Sequence, residues 1–490
     1  MTEERSTPGT NAQRGSQAGE AAHLSGHMSM WELLATVLAF SAPVAVVSGF
    51  IPFVILFDGP GAPAIFLCAM LLLLIFAVGF TTMTQYLPRP GGFYAYVTAG
   101  LGRVAGLGAA MLAIMGYLLL GFCTLPFFAV NVDALVRGTM GGPPIPWFFY
   151  AAACGAGSGI LCFFRIDLSA KVLTVAMALE TLVVVIFDTA VLRNGGPEGI
   201  SLAPLGLTTM AAGSVGVSIL FAVTCFLGFE ATAIFREEVR DPERTVPRAT
   251  YLAVLLIGLF YAFSAWMTVS AFGMSQVKAM ATANPAGLFP HGMEMYVGRI
   301  ASDALHILLA TSQFAAVLSA QNILARYGMS LGIDGVFPRV LGRVHPKHQS
   351  PYVASATVSL TWLALGLIFV MLRTPPDLLY ARVAGVGGFA ILVLMLVTSG
   401  AIIAFFQRSD VSHAAGAART LLAPAIATLG LAAVVYLAIA NFPLLIGGSQ
   451  GEANALVALT FCVFAAGAGY AAILRTLKPG IYRNIGRQIV

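Results

Sequence analysis

Apolar positions along this chain gather into twelve long runs, near residues 32–57, 62–87, 104–132, 145–164, 168–192, 211–235, 248–273, 300–328, 352–372, 379–406, 421–440 and 453–474. Each is about twice the length of a membrane β-strand and lacks two-residue alternation, so the pattern predicts helices. A membrane-crossing helix needs about 20 mostly apolar residues, which every run supplies. The expectation is an all-α integral membrane protein with 12 transmembrane helices. Residues 1–30, rich in Ser, Gly, Ala, Thr and Glu, hold no apolar core and read as a disordered tail. They contain no hydrophobic region of a signal peptide, so the N-terminus is expected to be cytoplasmic.

Composition agrees with the pattern. The chain is 58% hydrophobic and 10% charged, with a mean hydropathy of +0.88, against roughly 25% charged residues in soluble domains. Charge then orients the spans. With the N-terminus inside, all but six of the 26 Lys and Arg fall in cytoplasmic connections and tails; the six are Arg137, Arg193, Lys278, Arg299, Arg373 and Arg382. That asymmetry is the positive-inside bias, so the net charge of +5 reports topology and not a nucleic-acid surface. The expected location is the cell membrane, with both termini cytoplasmic and the lipid bilayer as the surrounding partner. Six cysteines form no CxxC pair or His-bearing cluster and read as small buried hydrophobes. No metal site and no cofactor are expected.

Two runs are interrupted. The first carries Ser41-Ala42-Pro43-Val44 and then Ser48-Gly49 with Pro52; the sixth carries Cys225-Phe226 and Gly228-Phe229-Glu230. A proline removes an amide donor and frees a carbonyl, and freed backbone groups in hydrocarbon need a partner such as a substrate or an ion. The interruptions lie five spans apart, as they do in transporters built from two inverted repeats whose first helices are broken. After the second break comes a dense polar run, Arg236, Glu237, Glu238, Arg240, Asp241, Glu243, Arg244 and Arg248. Its alternating signs suggest an ion-pair network, a gate at the cytoplasmic face; a merely solvated loop is the plainer alternative.

Three ordered motifs carry a family resemblance. Pro90-Gly91-Gly92-Phe93-Tyr94-Ala95-Tyr96-Val97 resembles the PGGxYxYV motif of the amino acid, polyamine and organocation (APC) transporter superfamily. Residues Phe226 to Ala249 resemble its FxGFE…EExxxPxRxxPRA signature, and Asn322 to Pro338 resemble the N…R…ARDGxxP end of its eighth span. The resemblance implies a 5+5 inverted repeat (LeuT-like) with broken helices 1 and 6. It puts a ten-helix core at 31–410, two additional helices at 411–478 and a cytoplasmic tail at 479–490. Substrate would sit between the two breaks, with Ser41, Ala42, Pro43, Val44, Cys225, Phe226, Gly228 and Phe229 as the binding residues. The chain departs from the family in lacking a GSG triplet in helix one, and in having Ile333 where the eighth-span motif has Arg.

Half-helix N-termini suit a carboxylate, whereas half-helix C-termini and unwound carbonyls suit an ammonium group, so a zwitterionic amino acid matches both ends. Phe229 is either an aromatic gate over the substrate or a lipid- or core-facing ring among 33 phenylalanines. Gly49 and Glu230 are assigned to the geometry of the broken helices. Glu180 lies near the middle of the fifth run. Apolar surroundings favour its neutral acid, which makes it the candidate for proton coupling, with a structural carboxyl as the alternative. Asp188 and Asp303 read as interfacial. The functional expectation is a secondary active transporter of amino acids or related amines, proton-coupled or exchanging, with a polyamine or organic amine permease as the alternative. A channel or receptor would not require paired broken helices, and no catalytic constellation supports an enzyme.

Overall fold

The computed structural model describes residues 28–87, 92–164, 170–234, 236, 239–408 and 416–486. Residues 1–27 of the expected N-terminal tail, Pro90 and Gly91 of the first motif, Glu237, Glu238 and the last four residues lie outside them. Among the described residues every regular element is helical, apart from one isolated bridge between Met28 and Val239. In chain order these are α1 Met30–Phe40, α2 Pro43–Gly49, α3 Ile51–Asp58, α4 Ala62–Thr84, α5 Phe93–Leu101, α6 Arg103–Ala134, α7 Trp147–Phe164 and α8 Ala170–Asn194. There follow α9 Leu207–Met210, α10 Val215–Thr224, α11 Ala231–Ile234, α12 Pro242–Phe272, α13 Val277–Ala283, α14 Leu288–Tyr296 and α15 Arg299–Ile333. The last are α16 Tyr352–Met371, α17 Pro376–Arg408, α18 Ala423–Ala440, α19 Phe442–Ile446, α20 Gln450–Leu477 and α21 Pro479–Asn484. Helices α1 to α3 run from a near face, which carries Met30, to a far face, which carries Asp58.

Ten helices among the described residues are long and apolar enough to cross a membrane, against twelve apolar runs in the sequence. The difference has a physical source. Pro43–Thr84 counts as one 42-residue stretch although it turns at Gly59–Gly61, so it holds the second half of the first run and all of the second. The sixth run is represented by Val215–Thr224, too short to cross alone. The two runs without a spanning helix of their own are thus the two interrupted ones.

The order of elements repeats. A broken helix (α1 with α2 and α3), an unbroken span (α4), a short helix feeding a long one (α5, α6) and two further spans (α7, α8) are followed by the same series. Its second copy is α10 with α11, then α12, then α13 and α14 feeding α15, then α16 and α17. Each unit holds five such elements, the odd number that an inverted repeat requires. The centre is built where α6 lies along α17, with α15 on one flank of α6 and α20 on the other. The motif glycine Gly92 sits at this junction, since a Cβ there would collide with the Tyr327 hydroxyl.

Candidate functional site

The first break is two residues wide, Ser41 and Ala42. Ala42 adopts the left-handed region (φ 44°, ψ 69°) between α1 and α2, and Pro43 opens α2. A non-glycine residue there is strained, and its preceding a proline restricts it further. What holds it is a set of bonds to other helices. The Tyr261 hydroxyl of α12 donates to the Ser41 carbonyl at 3.0 Å and lies 2.7 Å from Ser41 Oγ. The Val44 N–H donates to Glu180 Oε2 at 3.4 Å, and Ser312 Oγ of α15 donates to the same oxygen at 2.8 Å. Glu180 is only 5% exposed. Its carboxylate therefore joins the broken helix to α8 and α15 across sequence separations of more than a hundred residues, as a cap on α2.

The second break is a run of tight turns from Cys225 to Glu230. Gly228 has φ 112°, a conformation open to glycine and costly for any residue with a Cβ. Glu230 folds back on it: Oε2 accepts from the Gly228 N–H at 2.8 Å and Oε1 from the Tyr117 hydroxyl of α6 at 2.6 Å. The carboxylate is thus satisfied by the break it holds open. Cys225 and Phe226 are buried, and the Cys225 thiol is directed to the Phe221 carbonyl at 3.2 Å. Phe229 is 1% exposed and meets Phe76, Phe80 and Phe93 edge-on, at 6.2, 6.0 and 6.5 Å between ring centres. Phe229 is thus packed among rings of α4 and α5.

Tyr261 is the residue that sequence reasoning missed. It is bonded to Ser41 and within electrostatic reach of both Glu180 and Cys225, so one hydroxyl lies close to both breaks. A lone tyrosine in an apolar run carries no local signal of this. Asp188, expected at the interface, is 1% exposed and accepts from Ser264 of α12 at 2.8 Å. Helices α12 and α14 both pack against α8.

On the far side of the breaks, rings from four helices close together. Phe221 of α10 stacks on Phe53 at 5.3 Å and on Phe57 at 5.7 Å, while Tyr380 of α17 meets Phe53 at 4.8 Å and Phe127 of α6 at 4.6 Å. The Tyr380 hydroxyl donates to the Gly49 carbonyl. This plug was not foreseen, because its members are scattered over more than 300 residues. Gly49 is part of it, since a Cβ there would stand 2.6 Å from the Phe127 ring. Gly49→Ala is expected to cost about 1–3 kcal/mol by overpacking. Thermal unfolding of the purified variant checks this, and an unchanged melting temperature would show the contact to be soft.

On the near side, Arg236 donates to the carbonyls of Thr84, Gln85 and Leu87, where α4 ends. Those carbonyls lack helical donors and attract a cation. The Arg240 N–H donates to the Met28 carbonyl at 3.0 Å, which fastens the segment before α1 to the segment before α12. Asp241 (φ 48°) turns the chain into α12, and its 3.9 Å pair with Arg244 is well exposed, a geometry that contributes little. Among the described residues, the polar run holds this side chiefly through backbone carbonyls, and the one ion pair within it is Asp241 with Arg244.

Comparison with known proteins follows the geometry. A family profile for amino acid permeases matches residues 31–466. The chain is similar to the low-affinity putrescine importer PlaP of Escherichia coli K12, at 24% identity over 63% of this chain and 68% of that protein. It is similar to the branched-chain amino acid permease BcaP of Bacillus subtilis 168, at 24% identity over 69% of this chain and 73% of the relative. A third relative, the chloroplastic cationic amino acid transporter 7 of Arabidopsis thaliana, is 22% identical over 68% of this chain and 61% of its own length. With two broken helices in repeat register and a family match across nearly the whole membrane core, the chain belongs to the amino acid permease family of membrane transporters.

Proposed function

We propose that this permease moves an amino acid or small organic amine across the cell membrane by alternating access, with the near face cytoplasmic and Glu180 carrying a coupling proton. The observation behind the reading is the double acceptance by Glu180 Oε2, from the Val44 N–H and from Ser312 Oγ. An ionised carboxylate can only accept, and these two donors suit it. A proton on Oε1 leaves Oε2 an acceptor but removes the charge that strengthens both bonds, so binding a proton weakens the link between α2 and the pair α8 and α15. Proton occupancy is thereby tied to the shape of the first break, where substrate is expected. The basic residues on near-face connections support the orientation.

Relatives named for branched-chain amino acids and for putrescine bracket the substrate class. One observation favours an amine. Pro43 has no N–H and the Val44 N–H is taken by Glu180, so the first turn of α2 has lost two donors for a substrate carboxylate. Counterflow of labelled leucine and of labelled putrescine into liposomes holding the purified protein tests both readings. Exchange of either compound supports the transport reading, and which one exchanges decides the class. No uptake of a panel of amino acids and polyamines under any gradient, by protein shown to be folded, would overturn it.

A further inference from the structure

We propose that a file of buried polar side chains between α8 and α12 conducts protons from a pocket on the far face to Glu180, with Asp188 as the intermediate carrier. The inference rests on the reading of Glu180 as the coupling group and adds the route by which the proton reaches it.

The pocket, about 520 Å³, lies where α8 and α12 end, lined by Asn194, Ala271, Phe272, His291 and Tyr296 among others. Asp188 stands six residues, about 9 Å, below Asn194 along α8. Its Oδ2 accepts from Ser264, and its Oδ1 is buried with no hydrogen-bond partner among the described residues. A buried carboxylate oxygen with one side bare calls for a further partner, which a water in the file would supply.

Helix α12 supplies the rest of the file. Thr268, Ser264 and Tyr261 are spaced four and three apart, which puts them on one face of α12, and all three are buried. Thr268 lies one turn from Ser264 toward the pocket and bonds to the Ser264 carbonyl at 2.7 Å. Tyr261 lies one turn deeper, against Ser41 and within electrostatic reach of Glu180. In a membrane interior such a stripe is costly unless it is used. Glu180 and Asp188 are eight residues, about 12 Å, apart along α8, too far for direct transfer, so the hydroxyls and intervening water must bridge them. The other titratable groups near this interface are few. Helix α14 brings His291, stacked on Phe272, and Tyr296, bonded to the Ala271 carbonyl. Helix α2 brings none, α15 faces Glu180 with Ser312, and α1 brings only Glu32 at its start, bonded to Ser29.

In the proposed sequence a hydronium in the pocket gives its proton to water and the Thr268 hydroxyl, each of which accepts one proton and releases its own, and the Asp188 carboxylate takes the last, leaving water in the pocket and a neutral acid. Asp188 passes that proton to the hydroxyl and water file, each member of which accepts one proton and releases its own. Tyr261 gives the last proton to the Glu180 carboxylate. Asp188 is again ionised, the hydroxyls are unchanged, Glu180 is neutral, and one proton has moved inward.

The test is time-resolved infrared spectroscopy of the full-length protein in liposomes after an acid step outside, following the carbonyl stretch of protonated carboxyls. Wild type should gain two such bands, assigned by their loss in Asp188→Asn and in Glu180→Gln. In Asp188→Asn the Glu180 band should rise about tenfold more slowly or worse. Thr268→Val, which keeps the side-chain shape, should slow both bands without removing either, and it tests the route even if Asp188→Asn does not fold. A Glu180 band that rises at the wild-type rate in either variant overturns the relay alone. A wild-type protein in which Glu180 never protonates removes the reading of Glu180 itself, and the relay with it.

Discussion

Replacing Glu180 with Gln is expected to abolish the dependence of uptake on a proton gradient while leaving substrate binding measurable. The carboxamide has nearly the same shape, and its oxygen can still accept from the Val44 N–H or Ser312 Oγ, so the first break keeps a cap. What it loses is the ability to exist in two charge states. One proton moving down a gradient of one pH unit supplies about 1.4 kcal/mol, enough for about tenfold accumulation of substrate. The variant should therefore equilibrate labelled leucine or putrescine across the liposome membrane without concentrating it, and should still exchange label in counterflow. Accumulation that still follows the imposed pH gradient would remove Glu180 from the coupling mechanism.

Removal of the Glu230 carboxylate should have the largest effect on stability. In Glu230→Ala the Gly228 N–H and the Tyr117 hydroxyl are both left buried without their acceptor, at about 1–3 kcal/mol each, and a cavity adds to the cost. Transport should be lost and the melting temperature of the purified protein should fall. Glu230→Gln separates geometry from charge, because one amide oxygen can serve one of the two donors, and an intermediate melting temperature is expected. If Glu230→Ala unfolds where the wild type does, the second break is held by its turns alone and the carboxylate has another task.

Much of the architecture is legible in the residues. Long apolar runs dictate helices because no other open structure satisfies its own backbone in hydrocarbon. Gly228 announces the second break, since its positive φ is open to glycine, and Pro43 announces the first, since it has no N–H to give. The polar run after Phe226 was also legible as a fastening at one face. Its chemistry was not: Arg236 meets carbonyls at the end of α4, more than 140 residues earlier in the chain, and charge alternation within the run does not encode that. Phe229 shows the same limit. Its position after the glycine suits a gate or a core ring equally well, and the three phenylalanines it packs against come from α4 and α5, which no local pattern records.

The sequence by itself determined the solvent of this protein, its helical class, its two interrupted spans and its permease family, because hydropathy, helix breakers and ordered motifs are local properties of a chain. Tertiary structure decided which groups those interruptions meet. Glu180 bridges α2 and α15, Tyr261 joins the first break to α12, and Asp188 is buried against Ser264 of α12. The physical reason is that a polar group in a membrane interior takes its role from the partner opposite, and that partner lies on another helix, at a distance along the chain that no local pattern records.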